Sequence, residues 1–167
     1  MDKTEALNIL KSAILFERKG KAFYEHAAKT TRSDSLRKVF EMMGAEEDGH
    51  VDFLSAQYRK LENTGSFDAD ATPGAAGDFA VEILTEAVRK EVAAAGYEAA
   101  AISAALAMED RAVKFYGDRA AASDDAAERR MYQWLSDWEK THLNLLSRLD
   151  RELTESVWND NRFWPMD

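Results

Sequence analysis

Along four long stretches of this chain, apolar residues return at steps of three and four, the spacing of one face of an α-helix. The first stretch runs from about Thr4 to Thr30, with the seam Leu7, Leu10, Ile14, Tyr24 and Ala28. The second runs from about Asp34 to Glu62, with the seam Leu36, Phe40, Met43, Leu54 and Leu61. Ser33 or Asp34 reads as its N-cap, and Asn63-Thr64-Gly65 as its stop. The third covers about Tyr97 to Ala122 through Ala99, Ile102, Leu106, Val113, Tyr116 and Ala120. The fourth covers about Ser123 to Thr154 through Met131, Leu135, Leu146, Leu149 and Leu153.

The connections set the architecture. Short links after the first and third stretches force antiparallel hairpins, and the long link between them permits a crossover along a bundle. Within that link, Ser66 to Gly77 is rich in Gly, Ala and Asp and holds Pro73, which predicts a loop; Asp78 then predicts the cap of a short helix over Phe79 to Val92. The expected fold is all-α, a four-helix bundle of two helical hairpins over residues 1–155. A tail over 156–167 carries Trp158, Phe163 and Trp164. So much aromatic surface predicts docking on the bundle or on a second subunit, and hence a homodimer or a higher homo-oligomer.

Each seam is broken by charge at a fixed place. Glu17, Glu47 and His50 recur as Glu109, Glu139 and His142, each 92 positions further on, and Phe23-Tyr24 recurs as Phe115-Tyr116. The apolar pairs Leu10/Ile102, Ile14/Leu106, Phe40/Tyr132, Met43/Leu135, Leu54/Leu146 and Leu61/Leu153 keep the same offset. The halves therefore read as two homologous hairpins related by a pseudo-two-fold axis. Glu17 and Glu47 lie equally far from residue 32 in the first turn, as Glu109 and Glu139 do from residue 124 in the second. In an antiparallel hairpin such residues face each other. Glu-x-x-His puts a carboxylate and an imidazole on one helix face about one turn apart.

Four carboxylates placed where a bundle expects Leu need protons, cations or metal, because burying an unpaired carboxylate costs several kcal/mol. Two divalent ions would balance their charge. Hard oxygen ligands with one imidazole per ion suit iron or manganese, whereas zinc favours fewer ligands and a tetrahedron.

Composition narrows the classes of function. The 167 residues are 46% hydrophobic and 32% charged, with a net charge of −9. That acidity disfavours nucleic acid and anionic lipid as partners. Cys is absent, so thiolate sites and disulfides are excluded. No basic leader precedes an apolar run, and no run is long enough to span a membrane, so the expected location is cytoplasmic.

The stretches Ala107-Met108-Glu109-Asp110-Arg111-Ala112-Val113-Lys114-Phe115-Tyr116 and Glu46-Glu47-Asp48-Gly49-His50 resemble the lone-Glu and Glu-x-x-His helices of ferritin-like di-iron carboxylate proteins, rubrerythrin above all. The likeness covers roughly residues 4–154. It implies Glu17, Glu47, His50, Glu109, Glu139 and His142 as ligands of two iron ions, with manganese the alternative, and Glu47 and Glu139 as bridges. It implies Tyr24 and Tyr116 as hydrogen-bond partners of the ligating carboxylates. The activity it implies is that of a non-haem di-iron oxidoreductase, reducing hydrogen peroxide in oxidative-stress defence. The alternatives are a ferroxidase or iron-handling protein that uses dioxygen, and a non-enzymatic metal-binding bundle. Rubrerythrins usually carry a four-Cys rubredoxin-like module; without Cys here, electrons are expected from a separate electron-transfer protein. Many members also have an extra Glu where this chain has Ala112, so its site is expected to be nearly symmetric.

Other residues carry smaller expectations. His26 and Glu46 fall off the seam and read as exterior. Lys21 reads as snorkelling or pairing with Glu17. Trp134 and Trp138 read as interface packing, with electron entry as the sharper alternative. Gly20 and Ala112 read either as room for an oxygen species or as close helix approach.

Overall fold

A computed structural model describes residues 2–71 and 96–158, together with residues 87, 88 and 91. Its helices are α1 (Lys3–Thr30), α2 (Asp34–Thr64), α3 (Tyr97–Ala122) and α4 (Ala126–Trp158), and the described residues include no strand. None of these helices is long and apolar enough to cross a membrane.

The helix ends follow from local chemistry. Ser33 caps α2, its hydroxyl accepting a hydrogen bond from the Leu36 amide at 3.0 Å. That hydroxyl also donates to the Glu91 carboxylate at 2.6 Å, which ties the crossover segment to the α1–α2 turn. At the matching position in the second hairpin, the Asp125 carboxylate accepts from the amides of Ala127 and Glu128 at 2.8 and 2.9 Å. This is why α4 begins at Ala126 rather than at Ser123. Gly65 closes α2 in the left-handed conformation, φ 76°, with its N–H on the Leu61 carbonyl.

Packing fixes the direction of each helix. One apolar cluster joins Tyr24, Ala27 and Ala28 of α1, Leu36 to Met43 of α2, Ala101, Ile102 and Ala105 of α3, and Leu145 to Leu153 of α4. A second joins Ala6, Leu10 and Ala13 of α1, Leu54 and Leu61 of α2, Ala112, Tyr116 and Ala120 of α3, and Met131 to Leu135 of α4. The start of α1 thus shares an end of the bundle with the end of α2, the end of α3 and the start of α4. The order is up, down, down, up, which realises the crossover that the long link permits. Because α2 and α3 run parallel, the link between them must travel the length of the bundle. Phe67 packs in the second cluster and Val88 in the first, at opposite ends. The side chains of Gln57 and the backbone of Asp68 hold the start of that link through hydrogen bonds of 3.0 and 3.3 Å.

Burying one Leu-sized side chain contributes roughly 1.5–3 kcal/mol. The two apolar ends therefore stabilise the bundle, and the layer between them is free to carry charge. Trp158 is the last residue of α4 and is exposed. Phe163 and Trp164, and the short helix expected over Phe79 to Val92 apart from residues 87, 88 and 91, lie outside the described residues.

Ser33→Ala removes a cap and the hydroxyl that binds Glu91. The expected result is a stability loss of about 1 kcal/mol in denaturant melts, with the helical content of the folded state unchanged.

Candidate metal centre

The charged positions of the four seams meet at mid-height, between the two apolar clusters. Glu17 comes from α1, Glu47 and His50 from α2, Glu109 from α3, and Glu139 and His142 from α4. Each of the six is at most 3% exposed. They form two overlapping groups: Glu17, Glu47, His50 and Glu139, and then Glu47, Glu109, Glu139 and His142. Within each group one ligand atom per residue can be chosen so that all lie within 4.8 Å of one another. Glu47 and Glu139 belong to both groups, the position a bridging carboxylate must hold. His50 Nδ1 lies 3.2 Å from Glu17 Oε2 and 3.1 Å from Glu139 Oε1. His142 Nδ1 lies 3.2 Å from Glu139 Oε2 and 3.9 Å from Glu109 Oε1. Both imidazoles thus turn the same nitrogen inward.

The lone carboxylates are held from across the bundle. The Tyr24 hydroxyl of the first hairpin donates to Glu109 of the second, and the Tyr116 hydroxyl of the second donates to Glu17 of the first. Each hairpin positions the other's lone carboxylate. Burial, and then the adjacent carboxylate, pushes both phenols well above their ordinary range, so each remains a donor.

The donor set fits a pair of metal ions. Among the described residues, Glu139 Oε1, Glu139 Oε2 and His142 Nδ1 are buried with no hydrogen-bond partner. Glu139 Oε2 lies 3.2 Å from His142 Nδ1 and Glu139 Oε1 lies 3.1 Å from His50 Nδ1, within ion-pair distance but out of line for a hydrogen bond. Buried polar atoms left in this way are costly unless something else satisfies them, and inward-facing carboxylate and imidazole atoms are what an iron or manganese ion takes. Gly20 lines the same layer. A Cβ added there would stand 3.2 Å from Glu47 Cδ and 3.3 Å from its Oε2, so the missing side chain leaves room for this carboxylate.

Protons crowd the same atoms. Burial pushes Glu47 and Glu109 well above the usual carboxylate range, and neighbouring carboxylates add to the rise. Burial also opposes charge on Glu139, but His142 and His50 outweigh it and hold that carboxyl well below the usual range. Desolvation disfavours both imidazolium forms, yet the carboxylates prevail. Glu139 and Glu46 raise His142 to about 10, and Glu139, Glu17 and Glu47 raise His50 well above its ordinary value.

Several residues lie where the sequence did not place them. Lys21 pairs with Asp48 at 2.6 Å, not with Glu17. Glu46 is not exterior: its carboxylate accepts from Trp138 Nε1 at 2.8 Å and lies 2.6 Å from His142 Nε2. The signal that could have found it is the repeat itself, since Glu46 and Trp138 stand at the common offset directly before Glu47 and Glu139. Trp138 is buried and packs with Trp134 against His50, with ring centroids 5.4 and 5.8 Å from the imidazole. Ala112 is buried and His26 is exposed.

A family model described as Rubrerythrin matches residues 8–150. Searches of curated proteins and of solved structures find no match.

Two outcomes are expected. Metal uptake should release protons, because groups whose proton affinity is raised are protonated near neutrality and must lose those protons to ligate. Apparent affinity should then climb with pH towards the value of about 10 for His142. Calorimetric titration with manganese in buffers of different ionisation enthalpy measures the release; uptake without it would refute this proton assignment. Chelator treatment should lower Tm at neutral pH, since metal binds the folded arrangement and relieves the clustered charge. Equal melting temperatures would count against a buried site.

Proposed function

Because the chain belongs to the rubrerythrin family, we propose that its buried centre binds two iron ions and reduces hydrogen peroxide with electrons from a separate donor. The observation that carries this reading is the pair of overlapping four-residue groups that share Glu47 and Glu139. Such sharing suits two ions held side by side, and a single ion in either group would leave two of the six residues unused.

When bound, two ferrous ions supply one electron each, and with two protons the peroxide becomes two molecules of water. The residues of the chain do the rest. Glu47 and Glu139, common to both groups, would be shared by the two ions. Glu17 and Glu109 close the outer sides, each kept in place by a tyrosine hydroxyl from the opposite hairpin. His50 and His142 each present Nδ1 to one position. The apolar clusters above and below keep bulk water from the layer, which strengthens every charge interaction within it. The 167 residues contain no Cys, so reducing equivalents come from a second protein rather than from a thiolate-bound iron module within these residues.

Stopped-flow mixing of the ferrous-loaded protein with hydrogen peroxide, and separately with dioxygen, tests the proposal. Oxidation by peroxide should be the faster by at least about tenfold, equivalent to about 1.4 kcal/mol in barrier height. Faster oxidation by dioxygen would favour ferroxidase or iron-handling chemistry, and inertness to both would favour a non-enzymatic metal-binding bundle. Metal analysis of protein purified without added metal decides between iron and manganese.

A further inference from the structure

The two halves of the centre match ligand for ligand, but their surroundings do not. Behind His142 stands a carboxylate: Glu46 Oε2 lies 2.6 Å from Nε2, the ring nitrogen turned away from the ligand cluster. The same oxygen accepts from Trp138 Nε1 at 2.8 Å, which fixes the carboxylate in place. Its side chain is only 14% exposed, so water screens it weakly. Behind His50 the corresponding position is Trp138 itself. Two indole rings meet His50 edge to face, and its Nε2 is buried with no hydrogen-bond partner among the described residues.

We propose that Glu46 makes the two metal positions inequivalent, so that the one served by His142 takes a divalent cation first and more tightly, and the one served by His50 fills second. This rests on the dinuclear reading of the centre.

The physical reason lies in what each imidazole must do to become a ligand. Its Nδ1 lone pair has to face the ion, which leaves any proton on Nε2. At His142 that N–H has a fixed anionic acceptor, so the required tautomer and ring orientation are set in advance. The partial negative charge passed through the ring makes Nδ1 a better donor. At His50 an Nε2–H has no acceptor among the described residues, whereas a proton on Nδ1 has Glu17 at 3.2 Å to bind. Ligation at His50 must therefore give up a good hydrogen bond for none. Glu46 acts through His142 and is a positioning residue. Trp138 does two things at once: its N–H orients Glu46, and its ring walls off His50.

Cobalt(II) titration of the metal-free protein, followed by visible absorption, tests the order of filling. Wild-type protein should take up two ions per chain in two resolved steps. Glu46→Gln keeps the shape but removes the charge, and should weaken the first step about 10- to 100-fold, bringing it close to the second, which stays unchanged. Trp138→Phe should weaken the first step in the same direction by less. With substoichiometric zinc as a diamagnetic probe, 15N spectra of labelled histidines should shift at His142 before His50, with exposed His26 as internal reference. Two equal uptake steps in wild-type protein, a first step unmoved by Glu46→Gln, or simultaneous His50 and His142 shifts would overturn the proposal and leave the dinuclear centre standing. Uptake of fewer than two ions per chain would overturn both. Circular dichroism of each variant distinguishes a lost site from a lost fold.

Discussion

The structure is arranged around one expense: four carboxylates and two imidazoles held out of water at mid-height in a helical bundle. Each buried charge taken alone would cost several kcal/mol. The set persists because its members lie close enough to share protons with one another or ions with a guest, and because the ends of the bundle are apolar. Leu36, Phe40, Met43 and Leu146 on one side, and Leu10, Leu54, Tyr132 and Leu135 on the other, are fully buried. The cohesion of those clusters lets the layer between them be chosen for chemistry instead of packing.

That choice also governs how the two hairpins recognise each other. Within a hairpin, α1 packs on α2 and α3 on α4 in both apolar clusters. Between hairpins, two hydroxyl-to-carboxylate hydrogen bonds cross at the centre, beside those that Glu46 makes with Trp138 and His142. A tyrosine ring needs apolar surroundings and its hydroxyl needs a partner. Tyr24 and Tyr116 satisfy both at the boundary between an apolar cluster and the acidic layer. The same contacts that assemble the bundle therefore orient Glu17 and Glu109, and folding and site formation share their interactions.

Much of this was legible in the sequence. Steps of three and four fix the direction in which a side chain leaves its own helix, and equal distance from a turn fixes height within a hairpin. Those two rules were enough to bring Glu17, Glu47, His50, Glu109, Glu139 and His142 into one layer. They say nothing about which neighbouring helix closes the flank of the seam. That is why Glu46, about 100° from the seam, read as solvated when α4 in fact covers it, and why Lys21 was given the wrong carboxylate. They also could not tell whether a tyrosine serves its own hairpin or the other, since both lone carboxylates lie at one height. Gly20 was ambiguous for a related reason: only the position of the Glu47 carboxylate reveals what the absent Cβ makes room for.

The pairing of Glu46 with Trp138 has a meaning beyond the centre itself. Were the bundle assembled from two copies of one hairpin, a single codon would specify both places, and the partners would be two glutamates confronting each other or two indoles with no acceptor. Carrying both hairpins on one chain lifts that restriction. Each half can then change alone, and a donor can be matched to an acceptor across what was a symmetry axis.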